Sequence, residues 1–164
     1  MKKADNKYMQ MAIDEARQGI IAGDGGPFGS VVVKDGIVIG RGHNRVLGNH
    51  DPTAHGEVEA IRNACQRLGT HDLTGCDVYT TGEPCHMCLC ACLWANIKRI
   101  YYGCTIKDNA IIGFRDDHFN DLFSGRDKLP GFLMECDREA CLDLFDEYMK
   151  TTHKSYWKTA ENSK

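Results

Sequence analysis

The sequence predicts an α/β domain of three layers (α/β/α), with a mixed sheet between two layers of helices. Two β-rich runs, 28–33 and 37–46, meet at Lys34-Asp35-Gly36, and Asp-Gly between such runs is a strong hairpin signal. Past this antiparallel opening, strand-like runs alternate with stretches of helical period, which places helices on both faces of a sheet. No internal repeat, low-complexity linker or second domain shows in the 164 residues, so one domain over 1–164 is expected, ending in a polar tail, 151–164.

Taken in order, Met9, Ala12, Ile13, Ala16 and Ile20 form one stripe at helical spacing, and the glycines from 23 to 26 end that helix. The hairpin follows. Asp51-Pro52 then has the form of an N-cap with proline in the first turn, opening a helix through Ala54, Val58, Ile61, Ala64 and Leu68 to Gly69. Residues 76–81 are a third strand, Glu83-Pro84 turns the chain, and Cys85 opens a helix to about Ala95. A fourth strand covers 98–104. Between 106 and 129 only a short helix near 117–123 is expected, and a last helix covers 138–149.

Composition narrows the function classes. A hydrophobic content of 42% suits a single continuous core, and the nine cysteines do not signal disulfides, because Met1-Lys2-Lys3 leads into charged sequence and not into an apolar leader. A reducing, cytoplasmic setting is expected, with thiols free or on metal, and no apolar run is long enough to span a membrane. Net charge is −3 and the pI is near 6.1, with no cluster of Lys and Arg. A nucleic-acid partner is therefore not expected, since phosphate neutralisation supplies most non-specific affinity for it.

Two short motifs carry the chemistry: His55-Gly56-Glu57 and Pro84-Cys85-His86-Met87-Cys88. A catalytic zinc takes three protein ligands and keeps a fourth position for water. One imidazole and two thiolates, His55, Cys85 and Cys88, fit that need, with Glu57 placed to handle the water's protons. Either motif alone is weak, since Cys-x-x-Cys also occurs in redox pairs and zinc knuckles, but the redox motif belongs early in a βαβ unit and this one lies behind a proline at mid-chain. A structural four-ligand site has Cys90 and Cys92 at hand. On a helix, however, Cys90 lies roughly 200° around from Cys88 and Cys92 a turn further down, so both are expected in the core. His43, His50 and His71 belong to no motif and are expected to be structural or exposed.

The pair of motifs is the H-x-E and P-C-x-x-C signature of zinc nucleobase deaminases. With Gly26-Pro27-Phe28-Gly29, Val33-Lys34-Asp35-Gly36, the run from Asn49 to Glu57 and Gly113-Phe114 with its acids, the chain resembles the cytidine deaminase superfamily, and within it the bacterial guanine deaminases, from about Tyr8 to Phe119. Two departures stand out. Gly56 replaces the usual alanine, at about 1 kcal/mol of helix propensity, and His86 replaces the usual proline, where a surface or rim role is expected.

The resemblance implies a cytidine deaminase-like fold, one Zn²⁺ per subunit, and hydrolytic deamination of a free aminopurine, guanine to xanthine and ammonia first. Glu57 would take the proton of water and pass it to the ring nitrogen. Phe28 and Trp94 would flank the base, Asn44 would bond its edge, and Asp116 or Asp117 would serve the leaving amine. The same resemblance implies a homodimer whose tail crosses between subunits, with Tyr156 capping the pocket of one protomer or the other. Guanosine, other aminopurines, pterins and triazines stay open as substrates. A tRNA adenosine deaminase shares the zinc motifs, and a structural zinc protein would have no use for Glu57.

Overall fold

The computed structural model describes residues 6–114, 116–125, 129–132 and 134–150. These fall into two compact units, one up to residue 125 and one from 129 onward. In the second, α7 (Arg138–Lys150) occupies the stretch expected to be helical.

Helix α1 (Asn6–Ala22) buries Tyr8, Ala12 and Ala16 at i, i+4 spacing. Ile20, expected on the stripe, is half exposed, because each i, i+4 step drifts about 40° around the helix and Gly19 is the residue that faces His43 at that level. Strands β1 (Gly29–Lys34) and β2 (Ile37–His43) form the predicted hairpin, and Asp35 and Gly36 both take positive φ, 49° and 82°, as a twisted two-residue turn demands. Strand β3 (Asp77–Gly82) adds antiparallel to β1, and β4 (Arg99–Cys104) parallel to β3, giving the mixed order β2-β1-β3-β4.

Both faces of this sheet are covered, so the domain has three layers. Alternate residues Val31, Val33 and Tyr79 pack with Tyr8 under α1. Val32, Val78 and Ile39 face the other way, onto Ala60 and Ala64 of α3 (Gly56–Leu68) and Cys92 of α4 (His86–Trp94). The parallel step from β3 to β4 needs a crossover, and α4 is that crossover.

Strand directions decide where a site can form. Because β1 runs opposite to β2, β3 and β4, its start lies at the same sheet edge as their ends. Phe28, Asn44, Glu83 and Thr105 therefore share one edge, the carboxyl edge where open α/β sheets bind ligands.

Four expectations need correction. The second strand ends at His43, and a short helix, α2 (Val46–Asn49), follows. Helix α3 begins at Gly56 and not after Asp51, because the Asp51 carboxylate accepts from Thr53 N and Oγ1, both at 2.7 Å, and so closes its own turn. A further helix, α5 (Ile106–Ile111), precedes α6 (Asp116–Phe123). Cys92 is buried as expected, but Cys90 is exposed, since α4 covers the sheet with only one face.

Candidate active site

The tips of α3 and α4 build the centre of the site. Both helices pack on the same sheet face, and each is preceded by an extended N-cap residue, His55 (φ −75°, ψ 154°) and Cys85 (φ −63°, ψ 168°). Residues two apart on a helix diverge, so His55 and Glu57 can face one point only because His55 stands outside the helix proper. Gly56 between them allows close approach: a methyl there would meet the Phe28 carbonyl oxygen at 2.9 Å, so glycine lets the tip of α3 sit against the start of β1.

The His55 ring Nδ1 lies 3.6 Å from Cys85 Sγ and 3.5 Å from Cys88 Sγ, and the three donors lie within 4.8 Å of one another. A tetrahedral zinc, with Zn–S near 2.3 Å and Zn–N near 2.0–2.1 Å, separates sulfur from nitrogen by about 3.5 Å. The donor set therefore fits zinc without rearrangement. Among the described residues no other His, Cys, Asp or Glu completes such a group, so three protein ligands leave one position open.

Electrostatics around these donors agree with a metal site. The Cys88 thiol donating to Cys85, with the His55 ring and the Cys88 backbone N–H, brings Cys85 down to about 4. The same contact and burial push Cys88 up. His55 is pushed up chiefly by its hydrogen bond to Cys85. Burial pushes the Glu57 carboxyl up, and the Cys85 charge adds to this, against its own backbone N–H and the Cys88 thiol.

Beside this cluster opens a cavity of about 340 Å³ whose wall includes His55, Glu57, Cys85, Phe28, Asn44 and Asp116. Asn44 is buried, and its Oδ1 accepts from Val46 N at 3.2 Å. Phe28 meets the Phe114 ring edge-on, with centroids 4.7 Å apart and planes at 84°. Asp116 is pushed up by burial and by the Cys85 charge. Asp117 is exposed outside the wall, its Oδ1 taking His118 N.

The remaining expected contacts lie elsewhere. Trp94 stands at the far end of α4, about 13 Å along the axis from Cys85, and shares a separate surface with Cys90 and Leu93. Tyr156 lies outside the described residues. His86 is not part of the wall; its ring stacks on Phe123 at 4.3 Å and 19°. Glu83, Asn109 and Phe114 also line the cavity, and the sequence reading gave them no role. Phe114 belongs to the Gly113-Phe114 motif and Glu83 directly precedes Pro84-Cys85, whereas Asn109 carries no motif signal.

The profile of the cytidine and deoxycytidylate deaminase zinc-binding region matches residues 2–104, which hold the whole metal cluster. The chain belongs to that deaminase family. As in the family, the deaminase binds zinc, and its reaction is hydrolytic deamination. It is similar to the guanine deaminase of Bacillus subtilis (strain 168), at 49% identity over 112 residues, 68% of this chain and 71% of that one. The crystal structure of guanine deaminase from Bacillus subtilis superposes with a TM-score of 0.84 and 36% identity, covering 94% of this chain and 100% of that one. A tRNA-specific adenosine deaminase of Agrobacterium fabrum is 48% identical over 98 residues, 58% of this chain and 62% of that one. A structure of NE0047 in complex with 2,6-diaminopurine gives a TM-score of 0.65 at 32% identity, over 71% of this chain and 65% of that one. Among the described residues no helix is long and apolar enough to cross a membrane.

Proposed function

We propose that this deaminase acts on a free aminopurine base, guanine first, releasing xanthine and ammonia. The observation that carries the reading is the cavity: about 340 Å³, near the small end of ligand pockets, with an aromatic wall and a buried amide next to the metal donors. That is room for a flat base. The reading is supported by likeness to guanine deaminases and to a structure holding 2,6-diaminopurine.

His55, Cys85 and Cys88 would hold the zinc, which when bound would supply a Lewis acid that activates water. Glu57, buried at the tip of α3, would carry a proton from the attacking water to the ring nitrogen. Asp116, within the wall, serves the departing amine. Phe28, braced by Phe114, gives the base a face to stack on. The Asn44 Oδ1 is held by Val46 N, so Nδ2 is the group it offers a ligand, which suits the carbonyl edge of guanine and opposes the amino edge of adenine. The chain acts as a homodimer.

A second reading, deamination of adenosine in a tRNA, is favoured by the 48% identity to a tRNA-specific enzyme. The net charge of −3 opposes it. Zinc-loaded protein incubated with guanine should yield xanthine and one equivalent of ammonia. Guanine left unchanged while an anticodon stem-loop loses ammonia would replace the first reading with the second.

A further inference from the structure

Asn109 is the buried residue of α5, 2% exposed, although α5 is a single short helix. A buried amide needs partners for its donors and acceptor. Its backbone N–H donates to Thr105 O at 3.0 Å and its carbonyl accepts from Phe114 N at 3.1 Å, which ties α5 to the turn leading into α6. Its side chain lies between β3 and the start of α6. Oδ1 lies over Gly82 at the end of β3, where a methyl would come within 3.2 Å of it, and Nδ2 points the other way and donates to Asp116 Oδ2 at 3.4 Å.

Asp116 opens α6, whose other end is held by Phe123 stacking on His86. Among the described residues, the bond from Asn109 is the hydrogen bond that reaches the Asp116 carboxylate. Asp117, one residue on, has no such hold and turns out to solvent. A carboxylate that takes and returns protons at one leaving nitrogen must keep one direction, because a shift of about 1 Å can cost about 10²-fold in rate.

We propose that Asn109 is a positioning residue: its Nδ2 aims the Asp116 carboxylate into the cavity, toward the departing amine. The proposal rests on the reading of Asp116 as the group that serves that amine. Asn109 should matter only through Asp116, which separates it from a substrate contact and from a residue needed only for folding.

A double-mutant cycle on the zinc-loaded full chain tests this. Asn109→Ala should lower kcat on guanine by about 10- to 100-fold, with KM within about threefold and zinc retained. In the Asp116→Asn background the same change should cost nothing further. Asn109→Leu, of similar shape and with no donor, should lose as much and serves if the alanine variant does not fold, while Asn109→Ser, which keeps a donor, should recover part of the rate. Equal losses in both backgrounds, or a raised KM with intact kcat, would overturn the proposal. Full activity of Asp116→Asn would overturn it together with the role given to Asp116. If guanine is inert and another base shows the same non-additivity, the substrate reading falls and this inference stands.

Discussion

Glu57→Gln should separate catalysis from binding. Glu57 is buried, 6% exposed, at the tip of α3, and it lines the cavity beside the metal donors. General acid–base transfer is worth about 10²–10⁴-fold, or about 2.7–5.4 kcal/mol of barrier, and the loss should fall in that range. Glutamine keeps the shape, so zinc content and KM should change little. Stability should move the opposite way to activity. Because burial raises the folded-state pKa of Glu57, its charge disfavours the metal-free fold as pH rises through that value. At pH 7 the metal-free glutamine variant should melt above the parent, and the difference should vanish in acid. The assays are coupled ammonia release, elemental analysis and thermal melts with and without chelator. Near-full turnover with zinc present would refute the shuttle, and loss of zinc along with activity would make Glu57 part of the metal site instead.

Three further outcomes are expected. Zinc loading at neutral pH should release protons, since Cys88 and His55 both sit above their ordinary values in the metal-free protein, and affinity should fall as pH falls; calorimetry in buffers of different ionisation enthalpy reads the count, and a pH-independent affinity would contradict it. Phe114→Ala removes the edge contact to Phe28, worth about 0.5–1.5 kcal/mol, so KM should rise roughly 2- to 12-fold with kcat less affected; an unchanged KM would deny Phe28 its stacking role. Removing 152–164 should abolish turnover while leaving zinc in place, and a normally active truncation would make the tail an ordinary terminus.

The metal donors were legible because ligation restricts both residue type and spacing. Few other functions need histidine, then a paired Cys-x-x-Cys behind a proline, and the structure does bring His55, Cys85 and Cys88 to one point. The hairpin was legible for a similar reason, since Asp35 and Gly36 suit a turn that few residues tolerate. The start of α3 was misjudged because Asp51 satisfies the local rule for an N-cap, yet spends its carboxylate on Thr53. Helix α5 was missed although Thr105 and Asp108 form a capping box, a signal of the Thr-x-x-Asp type, because its isoleucines give no helical period. Trp94 shows a deeper limit. Sequence places it in the helix that carries the cysteines, and only the length of α4 reveals that it stands at the other end. Asn109 is an isolated polar residue whose importance depends wholly on what the turn at Gly113 brings back to it.

The most direct test is the ratio of kcat/KM for guanine to that for an adenosine-bearing tRNA anticodon stem-loop, measured on one zinc-loaded preparation. A small cavity on a chain of net charge −3 predicts a ratio far above one, with xanthine and ammonia formed in equal amounts. A ratio below one, with inosine appearing in the RNA, would contradict it.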